Sequence, residues 1–494
     1  MFGFLFRSVL EARDDFSFDG LSHLWFFDTQ NGTVLLTGAS VLGAQNVISL
    51  EDGEDSILST QVWSNAPALS DVEVLQENGQ TLLFSTHSLS GAVAVQPVDT
   101  QGRPGNVDAL RTTGGQAIEA AQLVSLSIGN QNFLITSGSD GAGINSYIVQ
   151  PSTRLVHVQA VADTPKSKAG QVADLEAIET GGSHYIVTAS ISEDGLSAYQ
   201  VTTQGQLELL DTIAARDGLW ATAFTDLTHA FVDGEVYVIA AASGSSSLSV
   251  VRLNPMGVFF AEDQVHDTLD TRFADATAVT HFETGARDFI VAAGNDAGFS
   301  VFELLPGGML HHHQTIVQDI AWNFGNVQDI AATVLQNEVQ LFFTGASAGG
   351  IAQFYLPTDT VGMRLSGTDG HDRLSGETNN DLLLAGAGND TLTGGAGDDV
   401  LFAGTGQDRL TGGAGADTFV FVADGQQDRI QDFEPGIDRI DLGDWGRIYD
   451  ISALTFGQNG GWSTIEWRDE SIRVRTADGN IIAPQDWSAD DFLF

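Results

Sequence analysis

Between Gly367 and Val420 one nine-residue phrase occurs six times without a gap: GTDGHDRLS, GETNNDLLL, AGAGNDTLT, GGAGDDVLF, AGTGQDRLT and GGAGADTFV. The sixth position is Asp in every copy: Asp372, Asp381, Asp390, Asp399, Asp408 and Asp417. The eighth is apolar in every copy: Leu374, Leu383, Leu392, Leu401, Leu410 and Phe419. An Asp offers a hard anionic oxygen, which suits calcium rather than a soft metal. Glycine reaches positive φ and lets carbonyl oxygens turn toward a cation. The candidate metal positions are the six Asp with Asp369 and Gly367, Gly370, Gly376, Gly386, Gly388, Gly394, Gly395, Gly397, Gly404, Gly406, Gly412, Gly413 and Gly415. A flexible Gly/Asp-rich linker would share the composition but not the fixed apolar position.

The phrase has the form G-G-x-G-x-D-x-U-x, with U apolar. It resembles the repeats of the RTX family of secreted bacterial proteins, which form a calcium-binding parallel β-roll. The resemblance implies that two copies complete one turn and that copies two apart stack. Asp372, Asp390 and Asp408 would then line one edge, and Asp381, Asp399 and Asp417 the other. The second copy departs from the form, with Glu377 and Asn379 where Gly is usual. Asn tolerates the left-handed region, so the turn is expected to survive with weakened calcium binding. The following segment, DRIQDFEPGIDRIDLGDW from Asp428, is similar to the cap of such rolls. Asp428, Asp432, Asp438 and Asp441 would cap the last turn or bind a further calcium. Two hairpins are expected around Gly460 and Gly479, and the final SADDFLF is similar to an uncleaved type I secretion signal. There is no H-E-x-x-H motif, so the zinc protease often found beside such repeats is absent.

These residues need a scaffold, and the first 360 residues supply a second, longer period. Seven apolar strands begin at Val34, Leu82, Phe133, Tyr185, Tyr237, Phe289 and Leu341, at intervals of 48, 51, 52, 52, 52 and 52 residues. Each is followed by a Gly/Ser/Asp turn and a further apolar strand. Regular strand-rich units of this length read as four-stranded β-propeller blades. The last unit stops near Pro357, while FLFRSVLEARD from Phe4 resembles the fourth strand of an interior unit, LELLDTIAARD from Leu207. Residues 2–10 are therefore expected to close the last blade and remove an exposed sheet edge. In blade length the propeller is similar to lactonase-like and quinoprotein-like propellers. The expected architecture is all-β: a seven-bladed propeller over 1–360, a calcium-binding roll over 361–425 and a β-rich cap over 426–494.

One acid precedes the first strand of each unit: Asp19, Asp71, Glu119, Asp174, Asp226, Asp275 and Asp329. First strands line a propeller channel, so these acids could ring its mouth. Two readings stand: hydrogen bonds to turn amides or a neighbouring blade, or a channel calcium. Trp63, Trp220, Phe273 and Trp322 fall in the loops leading into such strands. They suit either packing between blades or stacking on a sugar ring. The run His311-His312-His313 should lie in an exposed outer strand, with His311 and His313 on one face. Gly345 to Gly349 matches G-x-S-x-G, but it falls at a blade turn, not at the strand-to-helix elbow a nucleophilic Ser347 would need.

Composition narrows the class. The formal charge is −45, with Lys166 and Lys168 the only lysines. Such a surface repels nucleic acid and attracts divalent cations. There is no cysteine, which excludes disulfides and suits export in an unfolded state. No apolar stretch is long enough to span a membrane. The reading is an extracellular, calcium-dependent protein exported by type I secretion machinery, with calcium in the roll as its cofactor. Its propeller reads as a binding or adhesion module for an extracellular ligand such as a glycan, ahead of a lactonase-like hydrolase or a surface-layer protein.

Overall fold

A computed structural model gives the architecture. It describes residues 3–493 except 12–20, 30–31, 40–43, 51–55, 63–68, 78, 88–89, 101, 139–142, 152–153, 320–324, 336, 346–349, 447 and 449. Asp19, Trp63, Trp322 and Ser347 lie outside the described residues.

Seven four-stranded antiparallel sheets make a β-propeller. In the first six the strands run in chain order, from Leu21–Thr29 innermost in blade 1 to Leu310–Val317 outermost in blade 6. Blade 7 takes three strands from Val327–Leu335, Glu338–Gly345 and Gly350–Pro357. Its outer strand is Leu5–Glu11, antiparallel to Gly350–Pro357 with Leu5 opposite Tyr355 and Glu11 opposite Gly350. Phe4 packs edge-on against Phe282 of blade 6, and Arg7 sits over the Tyr355 ring. The ring is thus closed by pairing chain segments more than 300 residues apart, which pairs the third strand of blade 7 on both sides.

The second strands carry the strongest burial, because they are covered by a blade on each side. Phe289, Ile290, Val291, Ala292 and Ala293 are all fully buried. Inner strands of successive blades touch around the circle, and Leu21–Thr29 meets Val327–Leu335 to complete it.

From Val361 the chain winds into a parallel roll of two sheets. One has six strands: Val361–Ser366, Asn380–Leu384, Val400–Phe402, Thr418–Val420, Arg439–Asp441 and Phe492–Leu493. The other begins Arg373–Ser375, Thr391–Ala396, Arg409–Ala414 and Gln427–Ile430. It continues through Glu470–Val474, Trp462–Trp467 and Thr455–Asn459. The eighth-position residues stack in register, Leu374 on Leu392 on Leu410 and Leu383 on Leu401 on Phe419. From Leu383 onward they are fully buried in one core with Ile430, Phe433 and Ile440.

Two details differ from expectation. A hairpin turns at Gly460 and Gly461, but the next turns at Arg468, whose φ is 55°, not at Gly479. Gly479 sits in a tight turn closed from Thr476 to Asn480, with no returning strand. Asn379 does not adopt positive φ either, so the second copy lacks the left-handed turn that Gly386, Gly388, Gly395, Gly397, Gly404, Gly406, Gly413 and Gly415 provide.

Candidate metal centre in the roll and the acid ring of the channel

From Asp381 onward each Asp of the repeats points back along its own edge of the roll. The backbone N–H of Asp372 donates to Asp390 Oδ1 at 2.7 Å, that of Asp390 to Asp408 at 2.7 Å, and that of Asp408 to Asp428 at 2.8 Å. On the other edge Asp381 donates to Asp399 at 2.7 Å, Asp399 to Asp417 at 3.0 Å, and Asp417 to Asp438 at 3.0 Å. The two ladders therefore follow the 18-residue stacking and continue past the repeats, where the spacing is 20 and 21 residues. Asp432 accepts from Gly412 and Gly413, whereas Asp441 holds the Gly443 amide.

The second carboxylate oxygen separates the rungs. Asp372 Oδ2 accepts from Thr368 N and Oγ1, and Asp381 Oδ2 accepts from Glu377 N. Asp390, Asp399, Asp408 and Asp417 each have a buried Oδ2 with no hydrogen-bond partner. An unpaired buried carboxylate oxygen is costly and calls for a cation. The space around it is shaped by glycine: a Cβ on Gly394 would stand 2.2 Å from Asp399 Oδ2, and one on Gly412 2.2 Å from Asp417 Oδ2. A Cβ on Gly413 would meet Gly395 O at 2.0 Å. No side chain fits where the turns stack, so the space beside each Oδ2 is bounded by backbone. Among the described residues no three His, Asp or Glu side chains gather as a metal cluster. A cation here would take single carboxylates plus main-chain carbonyls, an all-oxygen set suited to calcium.

Burial first, then repulsion between rungs, raises these carboxyls. Asp399 and Asp408 are pushed up to about 7, and Asp417 and Asp428 to about 8. Asp390 is also raised, while solvent-exposed Asp372 is lowered by its Thr368 hydrogen bonds. The ladder interior thus resists ionising until a cation joins it.

The propeller channel holds a second set of stacked acids with a different outcome. Asp71, Asp174, Asp226 and Asp329 each sit just after a β-bulge in the inner strand of blades 2, 4, 5 and 7. Bulges re-aim the side chain that follows. Each Oδ1 accepts from the next residue of its own strand: Val72, Leu175, Leu227 or Ile330. Each Oδ2 accepts from the inner strand of the following blade: Leu123, Leu227, Val279 or Leu24. One oxygen is therefore spent within its own strand and the other on joining blades. Depth within the channel and mutual repulsion raise them, Asp174 and Asp329 to about 7 and Asp71 and Asp226 well above the usual range.

Glu119 and Asp275 do not join this ring. Both are exposed and lie three residues ahead of the equivalent positions, which are Gln122 and Ala278. In blade 1 the bulge position is His23, four residues after Asp19, and burial lowers it to about 4. One layer on, Glu73 holds Ser125 Oγ at 2.7 Å and is pushed up to about 7 by burial, while Glu176 meets the His229 ring. Glu73 and Glu176 stand outside the acids expected from the sequence; their signal there is an acid two residues after Asp71 and Asp174.

Of the loop aromatics, Trp220 is 68% exposed and Phe273 is fully buried between blades. The His311–His313 strand is not exposed as expected: His311 is buried, 4.0 Å from Asp441, and His313 Nε2 donates to Glu303 Oε2 at 2.7 Å. The two rings do share a face, 5.2 Å apart.

Residues 366–401 and 393–421 match the RTX calcium-binding nonapeptide repeat. No curated protein matches the chain. Similar solved structures include a protein from Lactobacillus plantarum, 14% identical over 67% of this chain and 98% of that one, at a TM-score of 0.43. A functionally unknown protein from Desulfotomaculum acetoxidans is 13% identical over 64% of this chain and 96% of its own, also at 0.43. Such repeats are typical of secreted proteins, and no helix among the described residues is long and apolar enough to cross a membrane. The segment with the aspartate ladders is an RTX calcium-binding β-roll, joined to a seven-bladed propeller.

Proposed function

We propose that this chain is an exported protein whose roll folds when it meets extracellular calcium, and whose propeller is the cargo so delivered. The observation that carries the reading is the set of four buried, unpartnered Oδ2 atoms on Asp390, Asp399, Asp408 and Asp417. Calcium would be held by these carboxylates and by carbonyls of the glycine turns; when bound it neutralises the ladder charge. Without it the four oxygens oppose burial, and an acidic chain resists compaction. Binding energy then becomes folding energy. Sites of the extracellular class bind at about 10⁻⁴–10⁻³ M, which leaves them empty in a cytosol and filled outside. The lack of cysteine is compatible with passage through a type I channel in the unfolded state.

The propeller serves as a binding or adhesion module. Trp220, exposed on the loop between blades 4 and 5, gives it a flat surface for a sugar ring. The test of the calcium reading is circular dichroism of the full chain during a calcium titration. A gain of β signal that saturates below ~10 mM supports it; an unchanged spectrum refutes it. A glycan screen by thermal shift, comparing the native chain with Trp220→Ala, tests the propeller: a shift lost in the variant supports the module, and no shift with any glycan removes it.

A further inference from the structure

The repeats alternate in a way that the nonapeptide form does not require. Flanking the buried eighth position, the even copies carry Leu382 and Leu384, Val400 and Phe402, Thr418 and Val420. The odd copies carry Arg373 and Ser375, Thr391 and Thr393, Arg409 and Thr411. Side chains alternate across a strand, so these flanking residues face away from the roll's core. One sheet is therefore polar outside, and the other is apolar on both faces but for Thr418.

The apolar outer face is covered. Leu382, Leu384, Val400 and Val420 are buried in a cluster with Leu305 of blade 6, and Met309 and Phe402 pack at its margin. Beside it, Arg287 of blade 6 is fully buried and paired through two 2.7 Å bonds to Glu303, which His313 also contacts. Arg287 Nη1 donates to the main-chain carbonyl of Asn380, where the even sheet begins its second rung. Arg364 of the roll pairs with Asp233 of blade 5. Apolar side chains and a charged group lose water together at this surface, and the roll supplies the carbonyl that Arg287 Nη1 meets there.

We infer that blade 6 is the docking surface for the folded roll, and that docking ties calcium binding in the roll to the stability of the propeller. The inference rests on the calcium reading above. The even face exists as a surface only when its rungs stack, and the rungs stack through the Asp ladders. A ligand bound only by the docked, folded roll stabilises whatever the roll covers. The effect is reciprocal: weakening the dock must weaken calcium binding by the same factor.

The experiment uses the full chain and two variants. In Val400→Thr/Phe402→Thr the even copy takes the residues of the third copy, Thr391 and Thr393, which the roll already accommodates. Leu305→Ser loosens the same contact from the propeller side. Calcium midpoints are read by circular dichroism, and amide exchange is followed over residues 287–317 with calcium and with EGTA. The expected result is a midpoint about tenfold higher in each variant. In the native chain, blade 6 should exchange faster in EGTA; in the variants its exchange should no longer respond to calcium. A calcium effect confined to the roll, with both midpoints unchanged, overturns the coupling and leaves the calcium reading standing. No calcium effect anywhere overturns both.

Discussion

The roll and the channel both bury rows of aspartates; the buried roll carboxylates take a backbone amide from the preceding turn, and the channel carboxylates take one from the following blade. They differ in the other oxygen. In the channel, Asp71, Asp174, Asp226 and Asp329 accept a second amide from their own strand. In the roll interior, Asp390, Asp399, Asp408 and Asp417 accept none. One arrangement is complete as protein, and the other is complete only with a cation. A buried, raised carboxyl by itself therefore marks neither structure nor function; the count of donors to its two oxygens decides.

The largest test of this contrast is calcium removal. With one ion per orphan oxygen and ~10 mM calcium, sites of 10⁻⁴–10⁻³ M each contribute about 1.4–2.7 kcal/mol. Four such terms are comparable to the whole stability of a domain, about 5–15 kcal/mol. EGTA should therefore abolish amide protection over residues 380–441 while leaving the inner strands of blades 2 to 5 protected.

Substitution at matched positions comes next. Asp417→Asn keeps an acceptor for the Asp399 amide but removes the charge; calcium affinity by calorimetry should fall at least about tenfold. Asp226→Asn should leave calcium affinity unchanged. It replaces one accepting oxygen by an amide facing a backbone donor, so the propeller should lose about 1–3 kcal/mol by denaturant melting. Equal calcium effects from the two variants would erase the distinction.

The sequence made the period of both domains legible, and physical reasons explain what it hid. Intervals near 52 residues mark the second strands because a blade covers each of their faces, so they read as unbroken apolar runs. The ring positions were less legible. The place one residue before the amide that the previous blade's acid holds, marked by a bulge in blades 1, 2, 4, 5 and 7, defines them, and Gln122, Ala278 and His23 share it without sharing chemistry. Repeats copied the Asp ladders plainly, but Asp428 and Asp438 extend them at altered spacing. The burial of His311 came from Asp441 and its neighbours, more than 100 residues away, which no local pattern reports. The apolar flanks of the even copies were present in the sequence and would have pointed to a covered sheet.

The smallest effect concerns pH, and its sign divides the two regions. Asp174, Asp329 and Glu73 are raised to about 7 in the folded channel. Their stabilising contribution is full below the unfolded values near 4 and is lost as pH rises through about 7. With EGTA present, the propeller should melt higher at pH 5.5 than at pH 8. Calcium binding should move the opposite way, because Asp399, Asp408 and Asp417 must ionise through about 7 to 8 to hold the ion. Parallel pH trends for melting and calcium affinity would contradict the assignment.

A crystal structure grown in calcium, with anomalous difference maps, is the most direct measurement. The account predicts cations about 2.3–2.6 Å from Oδ2 of Asp390, Asp399, Asp408 and Asp417, and none at the channel carboxylates. Well-ordered Oδ2 atoms bound to water or amides, with no anomalous peak along either ladder, would contradict it.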